Sequence, residues 1–233
     1  TVLVLGGGGL VGSAICRKLV AERPKRIVIS ALTKKEAHDA VRTLRKEFPG
    51  RGAGFFFPWW GNIFVRHSLK DTPREELVAD HKSRSILIDD MLEDMSDEVL
   101  KKSTIYGLLK STKPEIIIDC INSATAIAYQ DIFQSARSVR QQLKKSREGN
   151  AAQDLRTATE HLLCTLYTPQ LIRHVQLLYR SMHLTGTTAY VKIGTSGTGG
   201  MGLNIPYTHS EERPSRVLLS KSAVAGAHTL LLF

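Results

Sequence analysis

Four consecutive glycines, Gly6 to Gly9, follow directly on the apolar run Val2-Leu3-Val4-Leu5, and Gly12 comes three residues later. No other feature of the chain constrains its fold as strongly. A continuous apolar run bounded by glycine reads as a strand buried on both faces, as in a parallel sheet. The residues after it, about Leu10 to Glu22, read as a helix that Pro24 ends, with Leu10, Ala14, Lys18 and Ala21 along one face and Val11, Ile15 and Leu19 along another. Glycine between the two elements permits backbone angles closed to other residues and lets another group approach the main chain closely.

The same alternation continues. Arg26 to Ser30 reads as a second strand, Lys34 to Phe48 as a polar helix closed by Pro49-Gly50, and Gly54 to Phe57 as a third strand. This βαβαβ order predicts right-handed crossovers and an α/β fold, a Rossmann-like doubly wound parallel sheet with helices on both faces. Residues 66–90 carry no clear period and read as an insertion. Asp89 to Lys110 reads as one helix, acidic at its start and basic at its end as the helix dipole favours. Its acidic block is a solvated face before it is a metal site. Glu115 to Ile121 gives a fourth strand, Ile127 to Lys145 and Ala151 to Met182 two long helices, Ala189 to Ile193 a fifth strand, and Arg216 to Phe233 a last helix. The chain reads as a single domain over residues 1–233. Its start at Thr1 and its stop inside an apolar run read as cuts, so a longer protein is expected around it.

The formal charge of +10 raises nucleic acid as a partner. The basic residues, however, lie in scattered pairs such as Lys34-Lys35, Lys101-Lys102 and Lys144-Lys145, with no stripe of interleaved aromatics, so no nucleic-acid partner is expected. A basic balance equally suits a polyanionic cofactor. No apolar run approaches the roughly 20 residues that cross a bilayer, and none has the basic flank of a leader, so no membrane association is expected. Cys16, Cys120 and Cys164 are widely separated, which argues against structural zinc and a disulfide framework and makes a cytoplasmic location the expectation. The histidines show no ligand spacing, and no metal site is expected.

The glycine turn is where chemistry enters. Amides at a helix N-terminus have no partner within the helix, and a diphosphate can sit on them when no side chain intervenes. Gly12 in turn lets helix and strand pack closely. These residues predict a dinucleotide held by Gly6, Gly9, Leu10, Val11 and Gly12. A carboxylate about 20 positions beyond the glycines would favour NAD. The second strand instead ends at Ser30, followed by Ala31-Leu32-Thr33-Lys34-Lys35, so NADP is favoured over NAD, with Ser30 and Lys34 beside the ribose.

Gly6, Gly9 and Gly12 fit GxxGxxG, although Gly7, Gly9 and Gly12 also satisfy GxGxxG. The first spacing resembles the short-chain dehydrogenase/reductase superfamily, especially its extended, epimerase-like branch. Trp60-Gly61-Asn62-Ile63 resembles that family's Gly-Asp-Ile element, which implies Asn62 and Ile63 at the adenine. Lys113-Pro114-Glu115 with Asn122-Ser123-Ala124 resembles its strand ending in Asn-Ala-Ala, which lines the nicotinamide ribose. Asn204-Ile205-Pro206-Tyr207 with Glu211-Glu212-Arg213-Pro214 resembles the stretch before its lysine helix. The matches run in the family's order along the whole chain.

By that resemblance, Thr195, with Ser196 beside it, takes the Ser/Thr role that orients a substrate carbonyl, and Lys221 takes the role of the family lysine. Four residues before Lys221 the family has a Tyr that exchanges the proton, and this chain has Val217. A valine cannot exchange a proton, so Tyr207 or His209 is the candidate substitute, with Glu211 and Glu212 behind them. The function expected is an NADP-dependent oxidoreductase that passes hydride between nicotinamide and a small carbonyl or alcohol substrate. The alternatives are a nucleotide-sugar epimerase or dehydratase, and a non-catalytic NADP-binding sensor or scaffold, which Val217 keeps open. The resemblance also suggests a homodimer through the Ala151 to Met182 segment.

Overall fold

The computed structural model describes residues 1–121, 132–146 and 152–193. The chain is α/β, with a five-stranded, all-parallel sheet in the order β3-β2-β1-β4-β5. The strands are β1 Val2–Leu5, β2 Ile27–Ala31, β3 Phe56–Trp60, β4 Ile116–Asp119 and β5 Ala189–Lys192. Between them run α1 Leu10–Ala21, α2 Lys34–Glu47, a 3-10 turn at His67–Leu69, α3 Arg74–Ala79, α4 His81–Leu92, α5 Asp97–Lys102 and α6 Thr104–Thr112. Three further helices, α7 Ile132–Ser146, α8 Ala152–Cys164 and α9 Tyr167–Thr185, separate β4 from β5. This is the doubly wound Rossmann-like order, with strand order reversing between β1 and β4.

Both faces of the sheet are covered, which is why β1 is apolar at every position. Val2, Val4, Ile27, Ile29 and Phe56 face one side and pack with Cys16 and Val20 of α1 and Val41 and Leu44 of α2. The alternate residues Leu3, Leu5, Val28 and Ile117 face the other side and have no solvent exposure. Each such aliphatic contributes about 1.5–3 kcal/mol relative to leaving it exposed.

The chain divides into two compact units. The first holds Thr1–Asp71, Ser96–Ile121 and 176–193, and so the entire sheet. The second holds Thr72–Met95 with residues 132–146 and 152–175, all of its regular structure helical. Within it, α8 packs against α4 and α7. Arg84 of α4, nearly buried, donates to Glu160 Oε2 at 2.9 Å and to the Val78 carbonyl at 2.7 Å.

Several elements differ from the sequence expectation, each for a local reason. The buried stripe of α1 is Gly12, Cys16 and Val20, whereas Leu10 is 91% exposed. Neither expected face contains this stripe. Gly12 fixes the rotation of α1, because it is the position that lies against the backbone of Gly6 and Gly7 in the turn. The third strand begins at Phe56 and runs through Pro58 to Trp60, tolerated because β3 is an edge strand. The expected helix from Asp89 to Lys110 is three elements, since Ser96 and Ser103 cap new helices by accepting from the Val99 and Tyr106 amides. The expected helix from Ala151 to Met182 breaks between Cys164 and Tyr167, because Pro169 suits the first turn of a helix and not its interior. Residues 66–90 contain the 3-10 turn, α3 and most of α4. Among the described residues no helix is long and apolar enough to cross a membrane.

Candidate functional site

The glycine turn links β1 to α1 at the carboxyl end of the sheet, where the strand order reverses. Its glycines do different things. Gly6 is left-handed, with φ of 70°, and a Cβ there would lie 3.2 Å from the Cys120 carbonyl carbon at the end of β4. At Gly7 a Cβ would come within 2.9 Å of Ile29 Cγ2, and its amide donates to the Ser30 carbonyl at 2.9 Å. At Gly12 a Cβ would sit 2.2 Å from the Gly6 oxygen and 2.7 Å from Gly7 Cα. The fold therefore demands glycine at 6, 7 and 12.

It makes no such demand at 8 and 9. A Cβ on Gly8 would meet nothing nearer than 3.7 Å, and one on Gly9 only the Gly6 oxygen at 3.4 Å, both ordinary contacts. Gly9 is the N-cap of α1, with ordinary extended angles (φ −77°, ψ 175°) and no side chain to close the helix end. Among the described residues, no backbone acceptor meets the amides of Leu10, Val11 and Gly12. The Ser13 amide is the first to be satisfied, by the Gly9 carbonyl at 2.9 Å. No acidic side chain stands in the first turn. The result is a bare, cation-like helix end at a topological switch point, and its residues fit a diphosphate.

The neighbouring β2–α2 connection forms the next wall. Ser30 is buried at 2% exposure, so it presents little side-chain surface. Thr33 caps α2 by accepting from the Glu36 amide at 3.2 Å, while the Glu36 carboxylate accepts from the Thr33 amide at 2.9 Å. Lys35 is paired with Asp39 at 2.9 Å. The Lys34 ammonium lies 5.3 Å from the centre of the Trp60 ring, as does that of Lys70, and the His38 ring lies 5.6 Å from it. Trp60 thus gathers cations at the carboxyl ends of β2 and β3.

Gly61, with φ of 132°, packs against Lys70. Asn62 Oδ1 accepts from the Phe64 amide at 3.0 Å, which shapes the turn, and the Asn62 amide donates to the Lys70 carbonyl at 2.8 Å. Ile63 is buried at 3% exposure and belongs to the core.

A second polar cluster, which the sequence reading did not single out, stands at the carboxyl ends of β4 and β5. Asp119, 1% exposed, accepts from the Tyr190 hydroxyl at 2.7 Å and from Lys192 Nζ at 2.9 Å. Burial, then the charge of Asp119, drives the Tyr190 phenol far above its ordinary range. The signal was present: an Asp at the end of an apolar strand and a Lys at the end of another can meet as partners when the strands are neighbours. Burial and Cys120 push the Cys16 thiol up to about 12, and burial and Asp119 push Cys120 up to about 11. Both thiols stay protonated near neutrality, and neither is an activated nucleophile.

Of the expected site residues, Gly6, Gly9, Leu10, Val11 and Gly12 come together in the turn. Ser30 stands at the end of β2, Lys34 opens α2 beside Trp60, and Asn62 and Ile63 follow β3. Asn122, Ser123, Ala124, Thr195, Ser196, Tyr207, His209, Glu211, Glu212, Val217 and Lys221 lie outside the described residues. Comparison with protein-family models and with curated proteins finds no match to the chain.

Proposed function

We propose that the chain binds NADP across the β1–α1 turn and acts as an oxidoreductase of short-chain dehydrogenase/reductase type on a carbonyl or alcohol substrate. The observation that carries the reading is glycine at positions 8 and 9, where the fold has room for a side chain, at a helix end whose amides meet no backbone acceptor among the described residues. A diphosphate needs that room and those donors. Lys34, held near Trp60 and without a carboxylate partner among the described residues, supplies the cation that a 2′-phosphate requires. Bound NADP supplies hydride chemistry. The chain's own residues bind it at Gly6 to Gly12 and orient it. By family resemblance Thr195 and Ser196 position the substrate oxygen, Lys221 holds the ribose, and Tyr207 moves the proton. Val217 in place of the family Tyr favours one second reading, a sensor that binds NADP without turnover.

Calorimetric titration with NADP and NAD, followed by a carbonyl panel monitored for loss of reduced cofactor, tests the proposal. NADP is expected to bind more tightly than NAD, and Lys34→Met to lower NADP affinity a few-fold, as an exposed charge contact does. Failure of both nucleotides to bind removes the reading, and tight binding without turnover on any carbonyl selects the sensor.

A further inference from the structure

Asp119, Tyr190 and Lys192 form a hydrogen-bonded set at the carboxyl edge of the sheet. The β4–β5 register places Lys192 directly across from Asp119, with Tyr190 two residues earlier on the same face of β5. Among the described residues, the Asp119 carboxylate takes hydrogen bonds from the Tyr190 hydroxyl at 2.7 Å, Lys192 Nζ at 2.9 Å and the Ile121 amide at 2.9 Å. Lys192 Nζ also donates to the Ile121 carbonyl at 2.6 Å. Both polar groups of Ile121, just beyond the end of β4, are thus held by side chains. The glycine turn rests on the same segment, since a Cβ on Gly6 would lie 3.3 Å from Ile121 Cγ1 and 3.2 Å from the Cys120 carbonyl carbon.

Burying a charged pair is a poor way to stabilise a sheet, because desolvation consumes most of the attraction and apolar residues of equal size usually serve as well. Such a set is therefore better explained by what it fixes than by stability. What it fixes is the wall of the crevice on the β4–β5 side of the switch point, where one half of a dinucleotide extends once its diphosphate sits on α1.

We infer that Asp119, Tyr190 and Lys192 are positioning residues that hold Ile121 against the glycine turn and so shape the part of the cleft that receives the nicotinamide half of the cofactor. This role rests on the dinucleotide reading above. The residues act through Ile121, leaving the adenosine half, on the β2–β3 side, outside their reach.

Lys192→Met removes the ammonium and keeps most of the side-chain bulk, and Lys192→Arg restores a donor. Affinities of the full chain for NADP and for 2′,5′-ADP, which lacks the nicotinamide half, are compared. Lys192→Met is expected to weaken NADP about ten-fold, as a small misplacement of a binding wall does, and to leave 2′,5′-ADP within about two-fold. Lys192→Arg is expected to recover part of the loss. Equal weakening of both probes would mean that the set merely supports the fold, and no change in either would mean that it positions nothing; each result overturns the inference. If Lys192→Met does not fold, Tyr190→Phe, which removes one hydrogen bond and keeps the charge pair, carries the same comparison with the same directions. Wild-type protein that binds 2′,5′-ADP and NADP upholds the dinucleotide reading whatever the variants do, and wild-type protein that binds neither overturns both.

Discussion

Two helices begin side by side at the carboxyl ends of neighbouring strands, and they begin in opposite ways. At α2 the start is closed: Thr33 and Glu36 satisfy each other's amides in a capping box. At α1 the start is open: Gly9 offers no side chain, and the amides of Leu10, Val11 and Gly12 meet no backbone acceptor among the described residues. A Ser, Thr, Asn or Asp at position 9 would have been the ordinary choice for stability. The contrast teaches that the open end is not a fault of the local sequence, since the same sheet edge carries a well-capped helix one strand away. Under the proposal above, the end left uncapped where a cap would fit is the one that takes the diphosphate.

The comparison can be broken or sharpened by substitution. The largest effect is expected from Gly12→Val, which drives a branched side chain into the Gly6 backbone, where even a Cβ would lie 2.2 Å from the carbonyl oxygen. Backbone cannot step aside as a side chain can, so the loss should exceed about 4 kcal/mol, and thermal or chemical denaturation should find little folded protein. Gly9→Asp should come next and should separate function from stability. The position has room and ordinary angles, so an aspartate can cap α1 and leave stability equal or higher by a few tenths of a kcal/mol. The same carboxylate occupies the anion's place and repels it, so NADP affinity should fall by about 100-fold, or about 2.7 kcal/mol. Nucleotide titration and denaturation on one preparation check both halves. The smallest effect is expected at the closed end, where Thr33→Ala should cost about 1 kcal/mol in denaturation and change NADP affinity little.

How far the sequence could be read differs between these regions for a physical reason. The sheet was legible because strands buried on both faces must be continuously apolar, as β1 and most of β2 and β4 are. The glycine turn was legible because backbone geometry leaves no alternative residue at Gly6 or Gly12. The rotation of α1 was not, since the close approach of Gly12 to Gly6 decides it and side-chain hydrophobicity does not. The helix breaks at Ser96 and Ser103 escaped because serine capping is a local competition that an acidic-to-basic charge pattern hides. The Asp119–Tyr190–Lys192 set escaped because its members lie 71 and 73 residues apart and meet only through strand register. The third strand was expected to end at Phe57, whereas it extends through Pro58 to include Trp60 and brings Lys34, His38 and Lys70 around its ring.

The central claim is that the amides of Leu10, Val11 and Gly12 receive a diphosphate, and amide chemical shifts of isotopically labelled protein titrated with NADP test it most directly. Saturable shifts centred on those three amides, matched by inorganic pyrophosphate at higher concentration and absent in Gly9→Asp, are the result expected. Saturation of NADP elsewhere with those three signals unmoved would contradict it.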